Sequence, residues 1–192
     1  FAALDPAAFS SVFVSWMKVV GTRLSLVAKH IAIDGKTSRR CFDRDENGKK
    51  VCSLHTVSAW MGEEGLVLGQ QKTLEKSNEI TAIPELLKLI DIRGATITID
   101  AMGCQTEIAS TIIDRRGNYL LAVKENQPTL YKDVQDAFKD SRDTSTRPMD
   151  QPAALAVASH TSTDKGHGRV EERTTHVCTD LSWLSTSSKW KG

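Results

Sequence analysis

No stretch of the chain stays apolar for anything near the roughly 20 residues that a membrane-spanning helix needs, so a spanning helix is not expected. Cysteine is scarce and unpatterned. Cys41, Cys52, Cys104 and Cys178 make neither a CxxC pair nor a Cys/His zinc spacing, which removes a zinc-finger framework. They read as reduced thiols of a cytoplasmic protein, with a Cys41–Cys52 bridge across a hairpin as the alternative. An excess of one charge is also lacking: 25 Lys and Arg stand against 24 Asp and Glu. That balance argues against a chain coated in positive charge for nucleic acid, and leaves local clusters instead. These are Lys36 with Arg39 and Arg40, the pair Arg115-Arg116, and Arg169 with Arg173. There is no internal repeat and no low-complexity tract, so solenoid architectures drop out. The chain opens on Phe1 without a signal peptide and ends on Trp190-Lys191-Gly192 without a helix stop; both ends read as cut from something longer.

What is present is a regular succession of elements. Asp5-Pro6 suits an N-cap followed by the first helical residue. Phe9, Val12, Phe13, Trp16 and Val20 then recur at helical spacing, which predicts that this face is buried, with Gly21 as terminator. His30 to Asp34 reads as a buried strand ending at or near Asp34. A polar loop follows, with Asn47-Gly48 as a tight turn. Val51 to Met61 reads as a second strand and Leu66 to Thr73 as a third. Ser77-Asn78-Glu79-Ile80 caps a helix carrying Ile83, Leu86, Leu87 and Ile90, with Pro84 in its opening turns. Ala95 to Asp100 is a fourth strand, Glu107 to Arg116 a helix, Tyr119 to Lys124 a fifth strand, and Thr129 to Lys139 a helix. Ser141 to Gln151 reads as a linker, after which 156–163 and 170–178 form a hairpin around Gly166-His167-Gly168. The expected organisation is a core over residues 1–140, then a linker and partial β-rich insertion over 141–192.

Three meandering strands, a helix and then βα units make the order of an α/β, ribonuclease H-like mixed sheet flanked by helices. In such a sheet the first and fourth strands are neighbours, so Asp34 and Asp100 would meet despite their separation in the chain. Paired carboxylates at adjoining strand ends are the start of a site for Mg²⁺, a hard ion that prefers oxygen ligands. Two such ions stabilise the attacking and leaving oxygens of a phosphodiester together. Asp at a strand end also caps turns, so Asp34-Gly35 reads equally as turn chemistry.

Three strings carry a resemblance: Ile33-Asp34-Gly35-Lys36, then Ile99-Asp100-Ala101-Met102-Gly103-Cys104-Gln105, then Ala122-Val123-Lys124-Glu125-Asn126-Gln127-Pro128-Thr129-Leu130. With Leu4-Asp5-Pro6, Phe9, Phe13 and Trp16 at the front, and Gly166-His167-Gly168-Arg169 with Glu171 and Arg173 near the end, the sequence resembles the H-repeat-associated insertion-sequence transposases. These belong to the wider DDE transposases. The resemblance covers nearly the whole chain. It implies DNA cleavage and strand transfer at insertion-sequence ends, with Mg²⁺ or Mn²⁺ as substitute, and a homo-oligomer in the full-length protein. Asp34 and Asp100 match the first two acidic positions, as catalytic and metal-binding residues. The third, a Glu in a later helix marked by a His-Trp…Ile-Glu-Asn pattern, has no match in this chain, which makes an incomplete catalytic core the expectation.

Glu171 and Glu172 are substitutes to weigh against the plainer reading of a salt-bridged surface beside Arg169 and Arg173. Glu125 and His167 read as loop residues rather than ligands. Lys36, Lys124, Asn126, Gln127, Arg169 and Arg173 are the DNA-contact candidates, with a simple helix cap before Pro128-Thr129 as the alternative for Asn126 and Gln127. Trp60, Trp183 and Trp190 could stack on unpaired bases, though Trp60 fits a core position better. Two other functions stay in view: a different ribonuclease H-like nuclease such as a resolvase, and a non-catalytic DNA-binding remnant.

Overall fold

The computed structural model describes residues 4–23, 30–38, 42–44, 46–52, 55–62, 64–73, 79–142, 157–166, 168–181, 183–184 and 189–191. Cys41, Arg39, Arg40, Ser77, Asn78, His167 and most of the expected linker lie outside them. Two compact units emerge. One comprises Phe1–Asn126 with Trp190–Gly192, the other Gln127–Lys189.

The first unit opens with α1 (Pro6–Arg23). Asp5 caps it as expected: its Oδ1 accepts from the amides of Ala7 at 2.8 Å and Ala8 at 3.2 Å. The strands are β1 (His30–Thr37), β2 (Phe42–Arg44), β3 (Lys50–Cys52), β4 (His55–Met61), β5 (Leu66–Thr73), β6 (Thr96–Ile99) and β7 (Asn118–Leu121). Helix α2 (Glu79–Leu89) links β5 to β6, and α3 (Thr106–Asp114) links β6 to β7. The stretch expected as one strand from Val51 to Met61 is two: β3 pairs with β2 in a small hairpin, while β4 joins the main sheet. Gly48 turns that hairpin at φ 74°, a conformation glycine adopts at no steric cost.

Five strands form the main sheet in the order β5-β4-β1-β6-β7. The first three run antiparallel to their neighbours, and β1, β6 and β7 run parallel. Alternation sorts the side chains. Ile31, Ile33, Val57, Ala59, Ile97 and Ile99 point to one face, where Ile83, Leu86 and Leu87 of α2 and Ile108 and Ile112 of α3 close the core. The opposite face is open: Asp34, Lys36, Trp60, Gln70, Lys72 and Leu120 are exposed. Trp60 is 42% exposed, so the expectation of a core tryptophan fails.

Helix α1 also departs from expectation. Phe9, Val12 and Trp16 are 59%, 68% and 58% exposed, while Val14 and Met17 are buried. Apolar residues ring this helix, so periodicity alone could not choose its inner face. The choice is made by β5, where Gly69 leaves a niche: a Cβ there would stand 3.8 Å from Val14 Cγ2, 3.3 Å from Leu86 Cδ1 and 3.2 Å from Ile90 Cγ2.

The second unit holds α4 (Pro128–Arg142) and the antiparallel hairpin of β8 (Val157–Gly166) and β9 (Arg169–Cys178). The Phe138 ring of α4 lies 6.1 Å from the His176 ring of β9.

Candidate metal and nucleic-acid site

The sheet register decides where the two aspartates stand. Ile33 of β1 lies beside Ile99 of β6 in parallel pairing, so the next residue on each strand is the acidic one. Neighbouring strands are about 4.8 Å apart, which puts the Asp34 and Asp100 backbones in adjacent positions. Both residues are exposed. His30 and Thr98 share the parity of Asp34 and Asp100, and their Nε2 and Oγ1 are 2.9 Å apart.

The two strands differ in how they continue. β6 stops at Ile99, and Asp100, still extended at φ −67° and ψ 178°, caps a 3-10 turn over Ala101–Gly103. Its Oδ1 accepts from Met102 N at 3.0 Å. Gly103 lets this turn fold back, because a Cβ there would sit 2.2 Å from Ile99 Cγ2. β1 does not stop at Asp34; it runs on to Thr37, paired with β4 alone. Asp34-Gly35 is therefore not a turn. Gly35 is small for another reason: a Cβ on it would lie 2.4 Å from Glu79 Cδ and from Glu79 Oε1.

Glu79 opens α2 and is 6% exposed. Its Oε1 is 2.7 Å from Nε2 of His55, itself 3% exposed. The separation is that of an ion pair, yet no aligned hydrogen bond reaches Nε2. The contact is one of close packing rather than of directed hydrogen bonding. On the other side of the ring, Nδ1 is 2.7 Å from Thr37 Oγ1. In the sequence Glu79 reads as part of a helix cap and His55 as a residue within the Val51–Met61 strand. The available signal was parity: His55 alternates with Val57 and Ala59, so it had to enter the core and find a partner there.

Among the DNA-contact candidates, Lys36 lies on the Asp34 face two residues on, exposed. Lys124 is exposed in the loop after β7. Asn126 ties that loop to the Asp100 turn, its Nδ2 donating to Ala101 O at 2.5 Å. Glu125 is exposed beside it. Gln127 begins the second unit, and its carbonyl accepts from Tyr131 N at 2.8 Å as α4 starts. Arg169, Glu171 and Arg173 are exposed on β9, where Arg173 Nη2 holds Glu171 Oε2 at 2.6 Å. The carboxylate of Glu171 is thus engaged by Arg173, the salt-bridged surface expected as its plainer role. Cys104, just past the Asp100 turn, is buried, and burial pushes its thiol up, away from nucleophile chemistry.

Mg²⁺ is commonly held by one or two carboxylates, with waters and substrate phosphate completing the shell, and Asp34 with Asp100 fit that donor set. Among the described residues no group of three His, Cys, Asp or Glu gathers to hold a metal.

Known proteins resemble this chain. "Putative transposase YncI" of Escherichia coli O157:H7 is 41% identical over 98% of this chain and 45% of its own length. "H repeat-associated putative transposase YhhI" of Escherichia coli (strain K12) is 39% identical over 98% of this chain and 47% of its own. The chain spans about half the length of these relatives. A solved chain from the cryo-EM structure of the piggyBac transposase synaptic complex with hairpin DNA overlaps 72% of this chain and 29% of its own, at 13% identity and a TM-score of 0.37. The transposase DDE domain family matches residues 26–189, and the chain belongs to that family.

Proposed function

We propose that the chain supplies the first part of a ribonuclease H-like catalytic core that cleaves and transfers DNA strands at insertion-sequence ends, with Asp34 and Asp100 as metal-binding carboxylates. One observation carries the reading: the parallel register of Ile33 with Ile99, which brings the two acidic positions side by side on an open sheet face. The order β5-β4-β1-β6-β7, with the β2–β3 hairpin as an excursion, supports the ribonuclease H-like assignment. In the same reading the β8–β9 hairpin begins a β-rich insertion, and the domain resumes beyond it.

A bound divalent cation would supply positive charge to the phosphate oxygens. The protein's own groups do the rest. Asp34 and Asp100 hold the ion, and Asp100 is itself steadied by the Met102 amide. Lys36 offers a phosphate contact on the same face, and Lys124 a second on the β7 loop, which Asn126 fastens to the Asp100 turn. Arg169 and Arg173 would meet the DNA backbone from the hairpin. Partners are transposon-end and target DNA in the cytoplasm and, in the full-length protein, further copies of itself.

Two carboxylates leave the second ion of a two-metal mechanism without a fixed position, and misplacing charge costs far more in rate than in binding. The third carboxylate is therefore assigned to a later helix, and residues 1–192 alone are not expected to cleave. Nicking of a labelled duplex in Mg²⁺ or Mn²⁺ tests this. The full-length protein should nick, and Asp34→Ala or Asp100→Ala should abolish it. Cleavage by the full-length protein that survives Asp100→Ala would defeat the site assignment. Cleavage by residues 1–192 that needs Glu171 would move the third carboxylate to the hairpin.

A further inference from the structure

Beyond Ile33, β1 loses β6 as a neighbour and keeps only β4. The segment that carries Asp34 is thus a half-supported strand, and a metal ligand on it needs holding from elsewhere. Among the described residues, His55, Thr73 and Glu79 are the buried polar ones, and all three stand at this end of the sheet. Thr37, His55 and Thr73 form one cross-strand row over β1, β4 and β5, and Glu79 reaches the same row from α2. A buried carboxylate carries a desolvation penalty of several kcal/mol by order of magnitude, so such a pair is a poor way to add stability. It is a good way to fix position.

We infer that Glu79, with His55 and Thr37, is a positioning device for Asp34. The Glu79 carboxylate presses on the Gly35 backbone, with Glu79 Cδ 2.4 Å from where a Cβ would be. His55 joins that carboxylate at 2.7 Å to the Thr37 hydroxyl, also at 2.7 Å, so β1 is held on both sides of Lys36. Gly35 projects to the core face and Asp34 to the open face, so the device acts from beneath the sheet and touches neither metal nor DNA. Gly35 is the complement of Glu79: any side chain there displaces the carboxylate. The inference rests on the reading of Asp34 as a metal ligand.

The test uses residues 1–192 with two readouts, amide hydrogen exchange and Mn²⁺ affinity. Glu79→Ala and Gly35→Ala should each speed exchange of the residue 34–37 amides at least about tenfold through local opening, while β6 and β7 amides stay protected. Mn²⁺ should bind each of these variants at least about tenfold more weakly, measured well below the melting temperature so that the folded protein is compared. Glu79→Gln keeps the shape packed against Gly35 and His55, and should stay within about threefold of wild type in both readouts. The double variant Gly35→Ala with Glu79→Ala should be no worse than Glu79→Ala alone, since both remove one contact. Exchange that is unchanged, or that rises equally across the sheet, overturns the inference whether or not Mn²⁺ binds. Local exchange that rises with Mn²⁺ affinity unchanged overturns it too. If wild type does not bind Mn²⁺ but exchange at 34–37 responds as stated, the clamp stands and the metal reading falls.

Discussion

Gly103→Ala tests how the Asp100 turn is built. A methyl at residue 103 would stand 2.2 Å from Ile99 Cγ2, 3.2 Å from Ile99 Cβ and 3.3 Å from Ile83 Cδ1. Ile99 cannot swing clear: it is β-branched, stiff about its first torsion and buried in the core. The turn must therefore open, straining the Gly103 N to Asp100 O bond of 3.1 Å and the cap on Met102. Overpacking of this kind costs about 1–3 kcal/mol. At about 2 kcal/mol the melting temperature falls by about 4–8 °C for a chain of this size. Ile99→Ala alone costs about 2–5 kcal/mol through its cavity. If the two groups collide as described, the double variant is less destabilised than the sum by at least about 1 kcal/mol. Thermal and urea unfolding of the four proteins measure this. A Gly103→Ala melting temperature within about 1 °C of wild type, or strict additivity in the cycle, would refute the packing argument.

Asp100 has two jobs that substitutions separate. Asn at residue 100 still caps the turn, so Asp100→Asn should keep its melting temperature and lose Mn²⁺ binding, whereas Asp100→Ala should lose both, with about 0.5–2 kcal/mol of stability. Asp91 supplies a pH test. The hydrogen bonds and charge of Arg93 hold its carboxyl at about 2, against 3.8 ordinarily. The folded form is thus favoured above the ordinary value, and the gain is lost as pH falls from about 4 to about 2. Asp91→Asn should flatten that part of the acid-unfolding curve. The effect at pH 7 should stay below about 1 kcal/mol, because the pair is exposed; a larger loss would show that Arg93 holds more than Asp91.

Much of this architecture was legible in the residues. Leu66–Thr73 is a strand with the bounds its pattern gave, and the Ile33-Asp34 step of β1 falls beside the Ile99-Asp100 end of β6 because a crossover in one sheet leaves few alternatives. What misled was punctuation. Asp34-Gly35 reads locally as a turn, yet Gly35 answers to Glu79, a residue 44 positions later, and no local pattern encodes that contact. In α1, Phe9 and Trp16 out-rank Val14 in apolar bulk, but the niche at Gly69 admits a small side chain. Chain order alone sets Asn126 and Gln127 between the fifth strand and the helix from Thr129. The structure adds that the Asn126 amide is spent in part on Ala101.

If Asp34 and Asp100 share one divalent cation, paramagnetic broadening by Mn²⁺ will show it. In the amide spectrum of residues 1–192, substoichiometric Mn²⁺ should erase first the signals around Asp34 and Asp100, then those of their neighbours Ser58 and Met102. Asp34→Asn and Asp100→Asn should each restore them. Broadening centred on Glu171, or spread evenly over the acidic surface and untouched by either substitution, would contradict the account.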